Sequence, residues 1–179
     1  MNTAYARIFG VALAAVLFVT AVTPQVSAQS AEIEVSRLQS ISENCVSIKN
    51  TLNQLHASDA LLRVNRGQVY ESMASRMMDK FNTRLSSNSL DAKATVSVTT
   101  GYRTALDTFR KDYQAYERQL SVAIKIDCRE NPGLFAVAID DARSKRKVVH
   151  EDVQKLHQYI DDYRSAVGDF LINFERVGQ

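Results

Sequence analysis

The chain has 179 residues, and its 22 lysines and arginines nearly cancel its 20 aspartates and glutamates, leaving a net charge of +2. That balance excludes a nucleic-acid binder of the usual kind, whose affinity rests on a strongly basic face. The six glycines all stand singly, which excludes a glycine-rich phosphate loop.

Arg7 is the only charge before Glu32. Residues 8–22 form an apolar run broken only by Gly10 and Thr20, and Thr23-Pro24 ends it. Val26-Ser27-Ala28 then supplies small residues. A basic start, a short apolar core and a small-residue exit are the parts of a secretory signal, here residues 1–28 with cleavage after Ala28. A spanning helix takes about 20 apolar residues, so this run is short for an anchor; an uncleaved N-terminal tether is the alternative. No cysteine lies near the cleavage point to carry a lipid, and the far end has no apolar tail. Residues 29–179 then form one domain. It is destined for the periplasm, the cell envelope or the medium.

The period of the remaining chain is helical throughout. Leu38, Ile41, Cys45, Ile48, Leu52 and Leu55 recur at steps of three and four, and Ser30 can cap this first segment, with Glu32 and Glu34 in its first turn. Leu62, Val69, Met73, Met77, Phe81 and Leu85 continue a stripe with a slightly different period. Asn65-Arg66-Gly67 between them is either a turn or a weak point in one long helix. The polar cluster Ser86-Ser87-Asn88-Ser89 marks a turn. A second helix over residues 91–126 carries Val98, Tyr102, Ala105, Phe109, Tyr113, Tyr116, Leu120 and Ile124 on one face. Gly101 interrupts it at a cost of about 1 kcal/mol relative to alanine, which close approach of a neighbouring helix would offset. Asn131 and Pro132 suit the cap and first turn of a third helix. Its stripe runs from Phe135 through Ile139, Ala142, Val149, Val153, Leu156, Ile160, Tyr163, Val167, Phe170 and Phe174 to Val177, with Arg146 as the one polar intruder and Gly178 at the end. That heptad-like spacing predicts packing along the whole length against near-parallel neighbours.

Cys45 and Cys128 are an even count in an exported chain, which points to a bridge. Measured up from a turn near Asn88, Cys128 stands about 57 Å along the second helix, and Cys45 about 64 Å along a continuous first helix. A chain reversal at Gly67 would instead place Cys45 tens of ångströms from Cys128, whereas a bridge needs α-carbons within about 7 Å. Disulfide and continuous helix therefore support each other. The predicted fold is all-α: a long antiparallel three-helix bundle, coiled-coil-like, kinked near Gly67, with four shorter helices as the alternative.

Asp59, Arg66 and Arg146 interrupt the apolar stripes at similar heights, level with Asp112, Tyr113, Tyr116 and Glu117 on the second helix. Such a buried polar layer either fixes helix register or holds a small charged ligand. His150-Glu151 begins like a zinc-protease motif but lacks the second histidine, and His157 lies two turns away, too far to share one metal without a partner helix. His56, His150 and His157 read as surface histidines. The basic run at residues 143–147 is flanked by acids at spacings of four, as in Asp141 with Lys145 and Lys147 with Glu151, which suits ion pairs on a solvated helix face. No metal site, no cofactor and no catalytic group is expected.

The run from Ser58 to Tyr70 (SDALLRVNRGQVY), with one cysteine upstream and one near the end of the second helix, resembles a group of uncharacterised exported helical proteins of small-genome bacteria. The resemblance implies an exported helical bundle and transfers neither function nor site. The expectation is a non-enzymatic bundle that acts by protein–protein contact outside the cytoplasm, without nucleic acid or a stable membrane span, and compatible with a homo-oligomer. A small-ligand-binding module built on the polar layer is the alternative.

Overall fold

The computed structural model describes residues 26–177. The expected secretory signal, residues 1–28, lies almost wholly outside the described residues, as does Gly178. Five α-helices and one π-helical turn are present, with no strand among the described residues: α1 Val26–Glu43, α2 Cys45–Ser72, the π turn Met73–Met78, α3 Asp79–Ser87, α4 Lys93–Lys125 and α5 Pro132–Val177.

The first four of these elements stack end to end as one rod. Between α1 and α2, the Asn44 amide donates to the Ser40 carbonyl at 3.1 Å and the Asn44 carbonyl accepts from Ile48 at 3.0 Å, so helical bonding crosses the junction. The Asn44 side chain also donates to the Ser40 carbonyl, at 2.9 Å, and such local competition is how asparagine perturbs a helix. α4 and α5 form the second and third rods, and the fold is the expected all-α bundle. Gly67 sits inside α2; departures from α-helical geometry fall at Asn44 and at Met73–Met78 instead.

The π turn explains the odd period of the second stripe. Steps of four drift by about 40° each on an ideal α-helix, and an underwound turn cancels part of that drift. The inward face is nevertheless one residue along from the apolar stripe. Tyr70, Ala74, Met78 and Asn82 are buried, while Val69 is 53% and Met77 45% exposed. Tyrosine hydroxyls decide this register. Tyr102 of α4 donates to the Tyr70 carbonyl at 2.9 Å, and Tyr163 of α5 lies 3.2 Å from the Met78 carbonyl and 3.1 Å from Asn82 Oδ1. Asn82 in turn donates to Thr99 Oγ1 at 2.8 Å. Buried polar atoms of all three rods thus satisfy one another, as burial requires.

α4 and α5 pack antiparallel along their length. The Tyr159 ring of α5 lies over Gly101, where an added β-carbon would come within 2.6 Å of it. Tyr102, Phe109, Tyr113, Tyr116 and Leu120 of α4 are buried against Ala142, Leu156 and Tyr163 of α5. The α5 stripe stays in contact down to Phe170, and then Phe174 is 54% exposed, because α5 runs on past the link at residues 88–92. At the opposite end Cys45 and Cys128 are bridged, with α-carbons 5.5 Å apart and 83 residues between them in sequence. Phe135, Ile139 and Ala123 close around the bridge. Among the described residues no helix is long and apolar enough to cross a membrane.

Candidate functional site

Between its contacts at Asp59 and Tyr70, α2 stands away from the α4–α5 pair. Every residue from Leu61 to Val69 except Gly67 is exposed. The spacing leaves a groove on each flank of α2. The one facing α5 has a volume of about 600 Å³; the one facing α4 has about 880 Å³. Arg63, Phe109 and Tyr113 line both.

The α5-side groove gathers the polar intruders of the sequence. Asp59, with a side chain only 12% exposed, accepts from the Tyr116 hydroxyl at 2.6 Å and lies 3.5 Å from Arg146 Nε. Arg146 is itself 54% exposed, and Arg66 is exposed two turns further along α2. The three residues do share one site, but they are not a buried layer: only Asp59 is mostly enclosed. The reason is geometric. Arginine stems reach across the gap and keep their guanidinium groups in water.

Arg63 also belongs to the site, although the stripe pattern does not single it out. Its guanidinium lies 5.4 Å from the centre of the Tyr113 ring, a cation–π contact. A signal for it does exist in the sequence: Arg63 follows Asp59 by four residues and precedes Arg66 by three, so all three share a helix face. Burial raises the Tyr116 hydroxyl above its ordinary value, and the bonded Asp59 raises it further. Burial pushes Tyr113 up to about 12. Both phenols therefore stay neutral at ordinary pH, and the floor of the groove carries no charge of its own.

The rim does. Arg143, Arg146 and Lys147 of α5 face Arg63 and Arg66 of α2, and Asp59 is the only carboxylate among the lining residues. Arg143 is paired with Asp140 at 3.0 Å, and Lys147 with Glu151 at 3.9 Å. Lys145 pairs with Asp141 at 3.5 Å, as the spacing predicted. Arg63 and Arg66 have no carboxylate partner among the described residues.

The histidines are dispersed. His56 lies 3.4 Å from Ser121 Oγ, His150 lies 3.2 Å from the Gln154 side chain, and His157 lies 3.2 Å from the Tyr70 hydroxyl. His56 is half-buried rather than on the surface. Among the described residues no group of histidine, cysteine and carboxylate side chains is placed to hold a metal ion. Asp112 faces away from the groove, toward Asp152 of α5. No protein-family model, curated protein or solved structure matches the chain.

Proposed function

We propose that this protein is a non-enzymatic, exported helical bundle that works by contact with another protein, made on the face between α2 and α5. The observation that carries the reading is the exposed stretch of α2. Leu61, Leu62, Val64 and Val69 all face solvent there, and Leu62 lines the α5-side groove, which has more cations than carboxylates. A helix of a finished bundle keeps its apolar residues to one stripe. Exposed apolar surface rimmed by polar groups is what protein contact sites present. A trough bounded by two helices also has the shape that accepts a partner helix. Export is supported by the bridged cysteines, because disulfides persist in oxidising compartments.

A photo-reactive residue at Leu62, compared with one at Thr104 on the outer side of α4, tests this in the producing cell. The expected outcome is a discrete protein adduct from position 62 and none from position 104. Equal labelling at both, or none at either, would sink the reading. The groove volume of about 600 Å³ also lies in the range of small-molecule sites. A stoichiometric anionic adduct in native mass spectrometry, lost on Arg66→Leu, would favour a small ligand instead.

A further inference from the structure

The cationic groove has a counterpart on the same molecule. At the far end of the bundle, Asp91, Asp162 and Asp169 flank a recess of about 570 Å³ beside Phe170 and Phe174, and no lysine or arginine lines it. The last turns of α5 project beyond this recess. Leu171, Ile172 and Phe174 are exposed there, and the Phe174 ring stacks on Phe170 of its own helix, ring centres 5.8 Å apart. α5 therefore ends its described course in apolar turns where the charges of Glu175 and Arg176 offset each other, with the acids Asp162 and Asp169 behind them. The trough between α2 and α5 offers the opposite: apolar Leu62, Val149 and Val153 under a rim of guanidinium groups.

We propose that the partner taken by the groove is a second copy of this chain, whose acid-flanked α5 tip seats between α2 and α5 of the first. The assignment rests on the contact reading above and names its partner. It accounts together for two features that the single bundle leaves unexplained: Arg66 without a carboxylate partner among the described residues, and the apolar side chains of the last described turns of α5 in water. Like charges crowded on the groove repel one another, and incoming Asp162 and Asp169 relieve that repulsion. The two patches are different surfaces, so the contact is heterologous: each added copy presents a fresh groove or a fresh tip. Such contacts build open chains or rings rather than closed two-fold dimers. The span from Asp162 to Phe174, between three and four turns of one helix, buries less than a standard interface, so each contact is weak and salt-sensitive.

Sedimentation velocity of the oxidised protein across a concentration series tests the proposal. At about 50 mM salt we expect species beyond the dimer, and at about 500 mM salt an apparent dissociation constant at least roughly tenfold weaker. Arg66→Glu and the double variant Leu171→Asp/Phe174→Asp alter exposed side chains and should leave the melting temperature close to that of the parent. Each alone should be monomeric. Mixed in equal amounts they should form a dimer and stop there, because one intact groove meets one intact tip. A parent that stays monomeric, or oligomers that survive both variants, would overturn self-association. If the monomeric parent still gives a discrete adduct of a different protein from position 62, the general contact reading stands without this partner; with no adduct, both fall.

Discussion

Asp152 is the residue whose surroundings fit it least. Its Oδ2 is buried without a hydrogen-bond partner, and the Asp112 carboxyl faces it across the α4–α5 seam. Burial first, then Asp112 and Glu151, push its carboxyl up to about 6. A carboxyl raised in the folded state contributes stability that is fully present below its unfolded value, near pH 4, and is lost as pH rises through about 6. The protein should therefore be more stable at pH 5 than at pH 7.5 by this group's share, on the order of 1 kcal/mol once solvent screening is allowed for. Asp152→Asn should gain about that much at pH 7.5 and flatten the slope. Urea titrations at the two pH values decide, and an unchanged slope would show that Asp152 is not the source. At Gly101, alanine should gain about 1 kcal/mol of helix propensity but must displace the Tyr159 ring, an overpacking of roughly 1–3 kcal/mol. Gly101→Ala should thus destabilise the parent and stabilise a Tyr159→Leu background. The same sign in both backgrounds would refute the close approach. Gly101 was legible as a point of contact because a helix retains a mid-span glycine at a cost. Arg66 and Arg146 were legible as intruders but not as exposed, since a stripe pattern reports where a side chain starts and not how far an arginine reaches.

At the scale of elements, helix ends and helix phase carry the physics. α3 closes with the Leu90 amide bonded to the Leu85 carbonyl at 2.9 Å and the Ser89 amide to the Ser86 carbonyl at 3.1 Å. Ser89 has φ of 57°, in the left-handed region. Glycine is the ordinary residue there because it has no β-carbon to crowd the carbonyl. Ser89→Gly should raise stability by about 1 kcal/mol; a measured loss would mean that the serine hydroxyl matters more than the backbone. The Ser86–Ser89 cluster announced this turn, and Asn131-Pro132 announced the start of α5, since each has a local chemical reason. The phase of the first rod was less accessible. Val69, Met73, Met77 and Phe81 and their neighbours Tyr70, Ala74, Met78 and Asn82 both repeat every four residues. Hydrophobicity favours the first set, and the structure buries the second. The deciding interactions are the Tyr102 and Tyr163 hydroxyls and the Asn82–Thr99 bond, which join residues far apart in sequence. No local pattern encodes them.

The whole molecule is two rods packed tightly and a third held at intervals. α4 and α5 share a seam from Phe135 to Tyr163, and the first rod joins them firmly from Tyr70 down to Leu85. Above Tyr70 its holds are mostly polar and spaced out: Arg63 on the Tyr113 ring, Asp59 on Tyr116 and Arg146, His56 beside Ser121, Lys49 on the Ile126 carbonyl at 3.2 Å and Arg37 on Asp140, with Leu52, Ile48 and Ile41 packed near the disulfide. A bridge across 83 residues limits the unfolded chain by about 4–5 kcal/mol in the chain-entropy model. Here it also acts on one part of the fold, because the stretch it restrains buries little apolar surface of its own. Local opening follows such differences in contact. Reduction should therefore loosen residues 45–69 first and leave the α4–α5 seam closed. Hydrogen exchange on the reduced protein should show amides of residues 45–69 losing protection by a larger factor than those around Tyr102, Leu120 and Leu156. If every rod lost protection together, the bundle would be one cooperative unit, and the exposed face of α2 would be as rigid as its seam. The uneven result would mean that the bridge keeps α2 poised over the groove, so that the contact face exists only in the oxidised protein.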